Sequence, residues 1–295
     1  MIQQKKCPVC ESDKLNLFML CKDFSVSQET FNIVSCETCG FKFTNPMPNN
    51  DEIGKYYESD RYISHTNSKK GLFNFLYQSI RRFTIKGKRK LISRDGKSIN
   101  HLDIGCGTGE FLYECKKNGV NVFGVEPSKA AAEQAISNFK IEVASSIFSK
   151  TFVNTKFDSI SMWHVLEHVH DIKKSISKTN DLLKIGGKIF IALPNHESFD
   201  AKYYKEFWAA WDMPIHLWHF SSKNIIELMS NFGFKFKYSK PMIFDSYYVS
   251  LLSEEYKNGY KNFIKSFIIG TISNLRAKFF DKQYSSVIYV FEKEA

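Results

Sequence analysis

The feature that most constrains the fold is a glycine-rich stretch, HLDIGCGTGEF, at residues 101–111. An apolar, strand-like run leads into its glycines and a helix-like run follows them. Gly105, Gly107 and Gly109 permit positive φ angles at this junction and let a ligand approach the backbone closely. The G-x-G-x-G spacing differs from the G-x-G-x-x-G of dinucleotide-binding loops. The stretch therefore predicts a ligand-binding turn between a strand and a helix.

Strand-like and helix-like runs continue to alternate after this turn. A second predicted strand, 120–125, ends in Glu126, and further strands are predicted at 141–144, 157–162 and 187–193. This alternation predicts an α/β fold with a doubly wound, mostly parallel sheet and a ligand at the carboxyl ends of its strands. A carboxylate at the end of the second strand can accept hydrogen bonds from both hydroxyls of a ribose.

Four of the seven cysteines form two C-x2-C pairs, Cys7 with Cys10 and Cys36 with Cys39. Paired C-x2-C units in a chain with reduced thiols are typical of metal sites. Four thiolates complete a tetrahedral zinc site without an open position, so we expect a structural rather than a catalytic Zn²⁺. The alternative interpretation is four incidental cysteines.

Three regions are predicted along the chain. Residues 1–50 form a small zinc-ribbon-like unit, and 51–96 form a helical linker or cap whose basic run, 81–90, is interpreted as a solvated face. Residues 97–295 form the α/β domain, with a helical insertion at about 245–284.

Composition and charge narrow the class of protein. The chain has 295 residues, 43% hydrophobic and 24% charged, which is typical of a globular protein. Neither a bilayer-spanning segment nor the apolar run of a signal peptide is found, so we expect a cytoplasmic protein. The net charge of +10 favours anionic partners such as nucleic acid, nucleotide-linked substrates or lipid headgroups.

Four motifs, LDIGCGTGEFL, VFGVEPS, FDSISMWHVLEHVHD and GGKIFIALPN, resemble in order and spacing the class I S-adenosylmethionine (SAM)-dependent methyltransferases. The core is similar to that of methyltransferase-23 and ubiquinone O-methyltransferase proteins. The resemblance covers about 97–240, with a returning strand near 286–292. It implies a Rossmann-like, seven-stranded sheet of order 3-2-1-4-5-7-6 whose last strand is antiparallel.

The resemblance also implies where the methyl donor binds. The glycine loop and the aspartate before it would line the methionine part, Glu126 would hold the ribose hydroxyls, and Ser146 would lie near adenine. The predicted donor-binding residues are Asp103, Gly105, Cys106, Gly107, Gly109, Glu126, Ser146 and His164.

Histidines are concentrated after the fourth and fifth predicted strands. In WHVLEHVHD, His164, Glu167 and His168 would share one face if the segment were helical, and His216 comes from a later loop. These residues either pack around the donor pocket, supply a general base for an acceptor hydroxyl, or hold a divalent metal. The metal pattern is similar to E-x-x-E-H plus a later histidine in ubiquinone O-methyltransferases, with His164 replacing the first glutamate, which favours a softer metal. Asn195 is a further candidate for orienting the acceptor.

The expected activity is methyl transfer from SAM to a small molecule, at a hydroxyl of a sugar, a glycan precursor or another metabolite. One alternative is an rRNA or tRNA methyltransferase whose zinc unit recognises RNA, which the positive charge fits. A second is a sugar C-methyltransferase, a family that also joins a four-cysteine unit to a methyltransferase core. A non-enzymatic binding module is a third.

An apolar stripe at helical spacing occupies 260–280, flanked by basic residues. It is interpreted as a helical cover over the acceptor pocket, a homodimer contact, or a peripheral contact with a membrane surface.

Overall fold

A computed structural model describes residues 1–57, 72–92, 99–152 and 155–295, with side chains in 72–92 described from residue 78 onward. The predicted linker at 51–96 therefore lies partly outside the described residues. The strands in chain order are β1 (Leu15–Lys22), β2 (Thr30–Cys36), β3 (Lys42–Thr44), β4 (Asn100–Ile104), β5 (Asn121–Val125), β6 (Glu142–Ala144), β7 (Phe157–Trp163), β8 (Leu183–Pro194), β9 (Trp218–His219), β10 (Phe234–Pro241) and β11 (Ser286–Lys293).

The helices lie between and beside these strands. Short 3-10 turns occupy Ile53–Tyr57, Lys150–Phe152, Leu166–His168, Lys205–Phe207 and Ala209–Trp211, and a π turn occupies Ala277–Asp281. The α-helices are α1 (Leu72–Ile92), α2 (Glu110–Lys116), α3 (Lys129–Phe139), α4 (Ile172–Leu182), α5 (Phe199–Tyr204), α6 (Ser222–Ser230), α7 (Asp245–Asn258) and α8 (Phe263–Arg276).

The larger sheet has seven strands in the order β6-β5-β4-β7-β8-β11-β10. Strand β4 pairs in parallel with β5 and β7, whereas β11 is antiparallel to both β8 and β10. This confirms the predicted order, 3-2-1-4-5-7-6, and the antiparallel last strand. The central strand is buried on both faces, from His101 to Ile104, as expected for a parallel strand covered by helices on either side.

The amino-terminal unit is a four-stranded sheet of order β1-β2-β3-β9. Its last strand, Trp218–His219, comes from the α/β part of the chain and pairs antiparallel with β3. Aromatic rings join the two parts, because Phe41 stacks on Trp218 at 6.2 Å and contacts Phe220 at 5.4 Å between ring centroids. The amino-terminal unit thus shares a hydrophobic core with the α/β domain.

Helices α7 and α8 form an antiparallel hairpin between β10 and β11. Lys265 on α8 contacts Glu254 on α7 at 3.1 Å, while Ser246 donates to the Gly270 carbonyl at 3.2 Å. A Cβ atom on Gly270 would lie 2.8 Å from Cδ1 of Tyr247, so the helices touch closely there. Within the described residues, no helix combines the length and apolar character needed to cross a bilayer.

Candidate active site

The glycine loop connects β4 to α2 at the carboxyl edge of the sheet. Gly105, Gly107 and Gly109 have φ angles of +75°, +55° and +87°. The backbone N–H groups of Gly105 and Cys106 donate to the Val125 carbonyl at 2.8 and 3.0 Å, which holds the loop against the end of β5. The sequence folds this way locally because only glycine adopts three such angles at little cost.

Asp103 is buried directly before this loop. Ser161 on β7 donates a short hydrogen bond to its Oδ1, and the same serine contacts the ring of His101, which also contacts Ser159 at 2.8 Å. Burial raises the pKa of Asp103 to about 7, although the hydrogen bond from Ser161 opposes the shift. A cation at the loop would therefore stabilise the ionised form of Asp103. Sequence reasoning missed Ser161, which has no motif of its own.

Glu126 links the glycine loop to the next helix. Its Oε2 accepts from the N–H of Gly107 at 2.8 Å, and its Oε1 accepts from the N–H of Ser128, the N-cap of α3, at 2.9 Å. Ser146 lies in the turn after β6, where its hydroxyl accepts from the N–H of Phe148 at 3.2 Å. Both predicted donor-binding residues thus stand at the same sheet edge as the loop.

The side chain of Cys106 packs in an apolar cluster beneath the loop. A Cβ on Gly124 would lie 2.6 Å from the Cys106 sulfur, and Leu112 and Val122 belong to the same apolar cluster. Burial raises the pKa of this thiol well above its usual range. Its role in donor binding stays a prediction.

Helix α1 brings a basic side chain to the site. The Nζ atom of Lys88 lies 4.5 Å from the ring centroid of Trp163, the last residue of β7. Burial lowers the pKa of Lys88, while the charges of Asp245 and Asp103 act in the opposite direction. The interpretation of 81–90 as a solvated face is therefore wrong for Lys88, because the helix turns this residue toward the sheet edge.

The segment after β7 is a tight turn and not the helix considered from sequence. His164 has a φ angle of +58°, and the 3-10 turn Leu166–His168 follows it. The turn still brings Nδ1 of His164 within 3.4 Å of Oε1 of Glu167, and Asp245 from α7 lies 3.4 Å from Nε2. Burial alone would lower the pKa of His164, but these two carboxylates raise it to about 9. Asp245 was not foreseen, because it lies in the insertion.

Glu167, His168 and His216 form a buried cluster whose ligand atoms lie within 4.8 Å of one another. Nδ1 of His168 lies 3.1 Å from the Ile215 carbonyl, and Nδ1 of His216 lies 2.9 Å from the Ala210 carbonyl. A carbonyl only accepts, so both Nδ1 atoms carry the proton and a neutral ring keeps Nε2 unprotonated. Burial lowers the pKa of His168 to about 4 and also lowers that of His216.

This cluster suits a cation. The Glu167 carboxylate is fully buried, and neither oxygen accepts a well-aligned hydrogen bond among the described residues, although Oε1 lies 3.4 Å from Nδ1 of His164. Two imidazole nitrogens and one carboxylate are ligands that borderline divalent metals accept, and ring N–H groups bonded to carbonyls orient such ligands. Oδ2 of Asp212 also lies 3.8 Å from Nε2 of His216. Of the four residues considered from sequence, three come together. His164 is instead held between Glu167 and Asp245.

Asn195 is buried at the end of β8. Its amide N–H groups donate to Gln283 and to the Tyr284 carbonyl at 2.8 and 3.1 Å, and its Oδ1 accepts from the N–H of Glu197 at 3.1 Å. These bonds tie β8 to the segment before β11. An acceptor-orienting role for Asn195 stays a prediction.

The four predicted cysteine ligands meet in one cluster. Sulfur–sulfur distances are 3.6 Å for Cys7 and Cys39 and 3.5 Å for Cys10 and Cys36, and all four sulfurs lie within 4.8 Å of one another. Tetrahedral zinc with bonds of about 2.3 Å separates its sulfurs by about 3.8 Å, so the cluster fits that ion. The two C-x2-C segments, which we call the knuckles, have the same turn hydrogen bond, because the carbonyls of Cys7 and Cys36 each accept from the N–H four residues later.

Comparison with known proteins points to one family. A family model described as a methyltransferase domain matches residues 77–238. A ubiquinone biosynthesis O-methyltransferase of Pelagibacter ubique is 33% identical over 121 residues, which are 39% of this chain and 49% of the relative. An uncharacterized protein of Methanocaldococcus jannaschii, MJ1123, is 33% identical over 135 residues, 45% of this chain and 63% of that protein. The chain thus spans about half the length of these relatives.

Solved structures show the same fold. A SAM-dependent methyltransferase of Thermotoga maritima, a possible histamine N-methyltransferase, aligns with a TM-score of 0.53 and 18% identity over 81% of this chain and 99% of that one. Magnesium protoporphyrin IX methyltransferase of Synechocystis, with bound SAM, aligns with a TM-score of 0.52 and 13% identity over 85% of this chain and all (100%) of that one. At these identities the likeness shows the fold alone.

Proposed function

Because this chain belongs to the methyltransferase domain family and has the fold of its class I SAM-dependent members, we propose that it transfers the methyl group of SAM to a hydroxyl of a small molecule. The observation that carries the proposal is the glycine loop with two carboxylates, Asp103 beneath it and Glu126 bonded across it. The buried histidine cluster lies at the same sheet edge. Relatives named as O-methyltransferases support a hydroxyl as the acceptor group.

The two carboxylates are assigned different parts of the donor. The sulfonium of SAM is a cation, and Asp103 is a carboxylate whose ionised form a nearby cation would stabilise. Two backbone N–H bonds hold the carboxylate of Glu126 at the mouth of the loop. From this position Glu126 would accept hydrogen bonds from the ribose hydroxyls. SAM would supply the electrophilic methyl group.

Methyl transfer is an in-line displacement, so the protein mainly aligns the acceptor oxygen with the methyl carbon and excludes water. A neutral hydroxyl must also lose its proton. His168 and His216 are neutral because burial depresses their pKa values, so an unprotonated Nε2 is present to accept it. A divalent metal held by these histidines and Glu167 would lower the pKa of a bound hydroxyl instead.

The cysteine cluster is proposed to hold a structural Zn²⁺. Four sulfurs at tetrahedral separations leave no open ligand position, which argues against a catalytic role. The ion would fix the two knuckles that flank β1 and β2, where the amino-terminal sheet meets the core of the α/β domain.

Donor binding is tested first, by calorimetric titration of the full chain with SAM and with its demethylated product. The variant Glu126→Gln is expected to bind at least about tenfold more weakly, a loss typical of a hydrogen bond to a charged group. Glu133→Gln is the matched control, because its side chain is 65% exposed on α3. Equal affinity of the Glu126 variant and the control would overturn the donor assignment.

The acceptor is tested by incubation with methyl-labelled SAM and fractionated cell extract. The proposal expects base- and acid-resistant ether label in small molecules, lost in the variant His168→Gln. Label in RNA would favour RNA methylation, and a carbon-linked methyl group would favour sugar C-methylation. Label in RNA would overturn the small-molecule assignment, and a carbon-linked methyl group would overturn the hydroxyl assignment; both results would leave the donor site intact.

A further inference from the structure

Helix α8 turns mostly small side chains inward and most of its large apolar side chains outward. It buries Ser266, Gly270 and Ser273 together with one large side chain, Ile269. Ile264 and Phe280 remain 77% and 81% exposed, whereas helices of globular proteins normally turn such residues to the core. The exposed residues that we call the α8 apolar face are Phe263, Ile264, Phe267, Ile268, Ile272, Leu275, Phe279 and Phe280.

An apolar patch of this kind marks an interaction surface. Close packing requires the small residues on the inner side, because a side chain at Gly270 would collide with Tyr247. Phe267 stacks on Tyr247 at 5.4 Å between ring centroids, but Ile264 and Phe280 are too exposed for the packing of the fold to require large apolar side chains there. The outward face therefore fits a partner and not the core of this chain.

The surroundings of the α8 apolar face are cationic. Residues 257–282 carry six basic side chains and a single acidic one, Asp281, and two of the six, Lys261 and Lys265, also pair with Glu255 and Glu254 on α7 at 3.8 and 3.1 Å. Lys261, Arg276 and Lys278 are exposed beside the apolar residues. Large apolar side chains rimmed by lysine and arginine are the pattern of helices that lie in the headgroup region of anionic bilayers.

We propose that the α8 apolar face docks on an anionic phospholipid surface. The phenylalanine and isoleucine side chains insert at the boundary of the acyl chains, and the basic residues meet lipid phosphates. A symmetric dimer through the same face would set two cationic rims against each other, which disfavours self-association. Among the described residues no helix can cross the bilayer, so α8 lies on the surface.

The docking face borders the candidate active site. Asn274 on α8 donates to the Ile243 carbonyl at 2.8 Å and to Ser246 at 2.9 Å, and Asp245 between them contacts His164. One consequence, which rests on the proposed function, is that an acceptor carried by a lipid lies within reach of the site. Docking itself does not depend on methyl transfer and is tested without SAM.

The test is flotation of the full chain with vesicles of phosphatidylcholine that contain about one third phosphatidylglycerol. The double variant Ile264→Glu, Phe280→Glu is expected to bind these vesicles at least about tenfold more weakly than the natural chain. Ile185→Glu is the matched control, because Ile185 is 70% exposed in β8, away from α8, and its binding should be unchanged. Vesicles of phosphatidylcholine alone should bind the natural chain weakly.

A second variant tests the charged rim. Lys261→Glu, Lys278→Glu keeps every apolar side chain and should lose binding to the anionic vesicles, as should the natural chain in high salt. Absence of binding by the natural chain, or binding of either double variant as tightly as the natural chain, would overturn the proposal. So would a natural dimer, seen by sedimentation equilibrium, that becomes monomeric in the Ile264, Phe280 variant, because the face would then be a contact between two copies.

Discussion

Alanine substitutions in the glycine loop separate its conformational role from its contact with the donor. Gly107 and Gly109 both have positive φ angles, so alanine at either position costs about 1–2 kcal/mol in the folded state. Their surroundings differ. A Cβ on Gly109 would lie 2.8 Å from Cβ of Ala135 and 3.2 Å from Cδ1 of Ile141, whereas a Cβ on Gly107 meets no atom of the described residues within 4 Å.

These surroundings set the expected magnitudes. Overpacking a filled site costs about 1–3 kcal/mol, so Gly109→Ala should lower the free energy of unfolding by about 2–5 kcal/mol in total. Gly107→Ala should lower it by only about 1–2 kcal/mol, because its new methyl group points into open space. That open space is where the donor would lie, so Gly107→Ala should weaken SAM binding at least about tenfold through steric exclusion.

Gly119→Ala is the matched control for backbone strain. Gly119 has a φ angle of +81° and open surroundings, but it follows α2 at the opposite end from the loop. Gly119→Ala should lower the free energy of unfolding by about 1–2 kcal/mol, as Gly107→Ala does, but should bind SAM as tightly as the natural chain. Denaturant titration measures the stability and calorimetry the affinity. The reasoning is refuted if Gly107→Ala binds SAM as well as Gly119→Ala does.

Three further predictions concern charge and metal. Burial raises the pKa of Asp103 to about 7, so the folded protein gains stability as pH falls from about 7 toward the ordinary pKa of about 3.8. The affinity for cationic SAM should rise with pH up to about 7, as Asp103 ionises. Asp103→Asn should flatten this pH dependence of affinity, and an unchanged pH profile in the variant would contradict the prediction. Cys36→Ser should lose bound zinc, measured by mass spectrometry of the metal, and should unfold at a lower denaturant concentration. Cys21→Ser is the control, because Cys21 lies outside the cluster, and this variant should keep the zinc. Glu167→Gln should abolish binding of Co²⁺ to the Glu167 cluster, followed by the visible absorption of the ion, and retained binding would exclude Glu167 as a ligand.

Much of the α/β fold was predictable because its signals are local. Strand β4, the glycine loop and Glu126 lie within 27 residues of sequence, and each has a residue type that its backbone position demands. The knuckles of the cysteine cluster are also local turns, so spacing alone indicated them. The strand order followed from the resemblance carried by four motifs, and the structure confirms it.

Other features had no local signal. Strand β9 is too short for any periodicity to reveal, and it forms only because Trp218 packs on Phe41 of the amino-terminal unit. The segment after β7 has helical spacing, yet it is a tight turn because His164 takes a positive φ angle where the chain leaves the sheet edge. The contact of Lys88 with the ring of Trp163 likewise depends on how α1 docks.

The sequence by itself determined the donor loop, the alternation of strands and helices, and the four cysteines that come together, since short-range pattern and backbone preference suffice for these. Only the tertiary structure decided that Glu167, His168 and His216 form one buried cluster, and that Asp245 meets His164 across about 80 residues of chain. It also decided that α8 turns most of its apolar stripe outward, because α7 approaches so closely at Gly270 that a side chain there would collide with Tyr247. Contacts between distant segments depend on how whole elements pack, and the residue pattern of one segment does not contain that information.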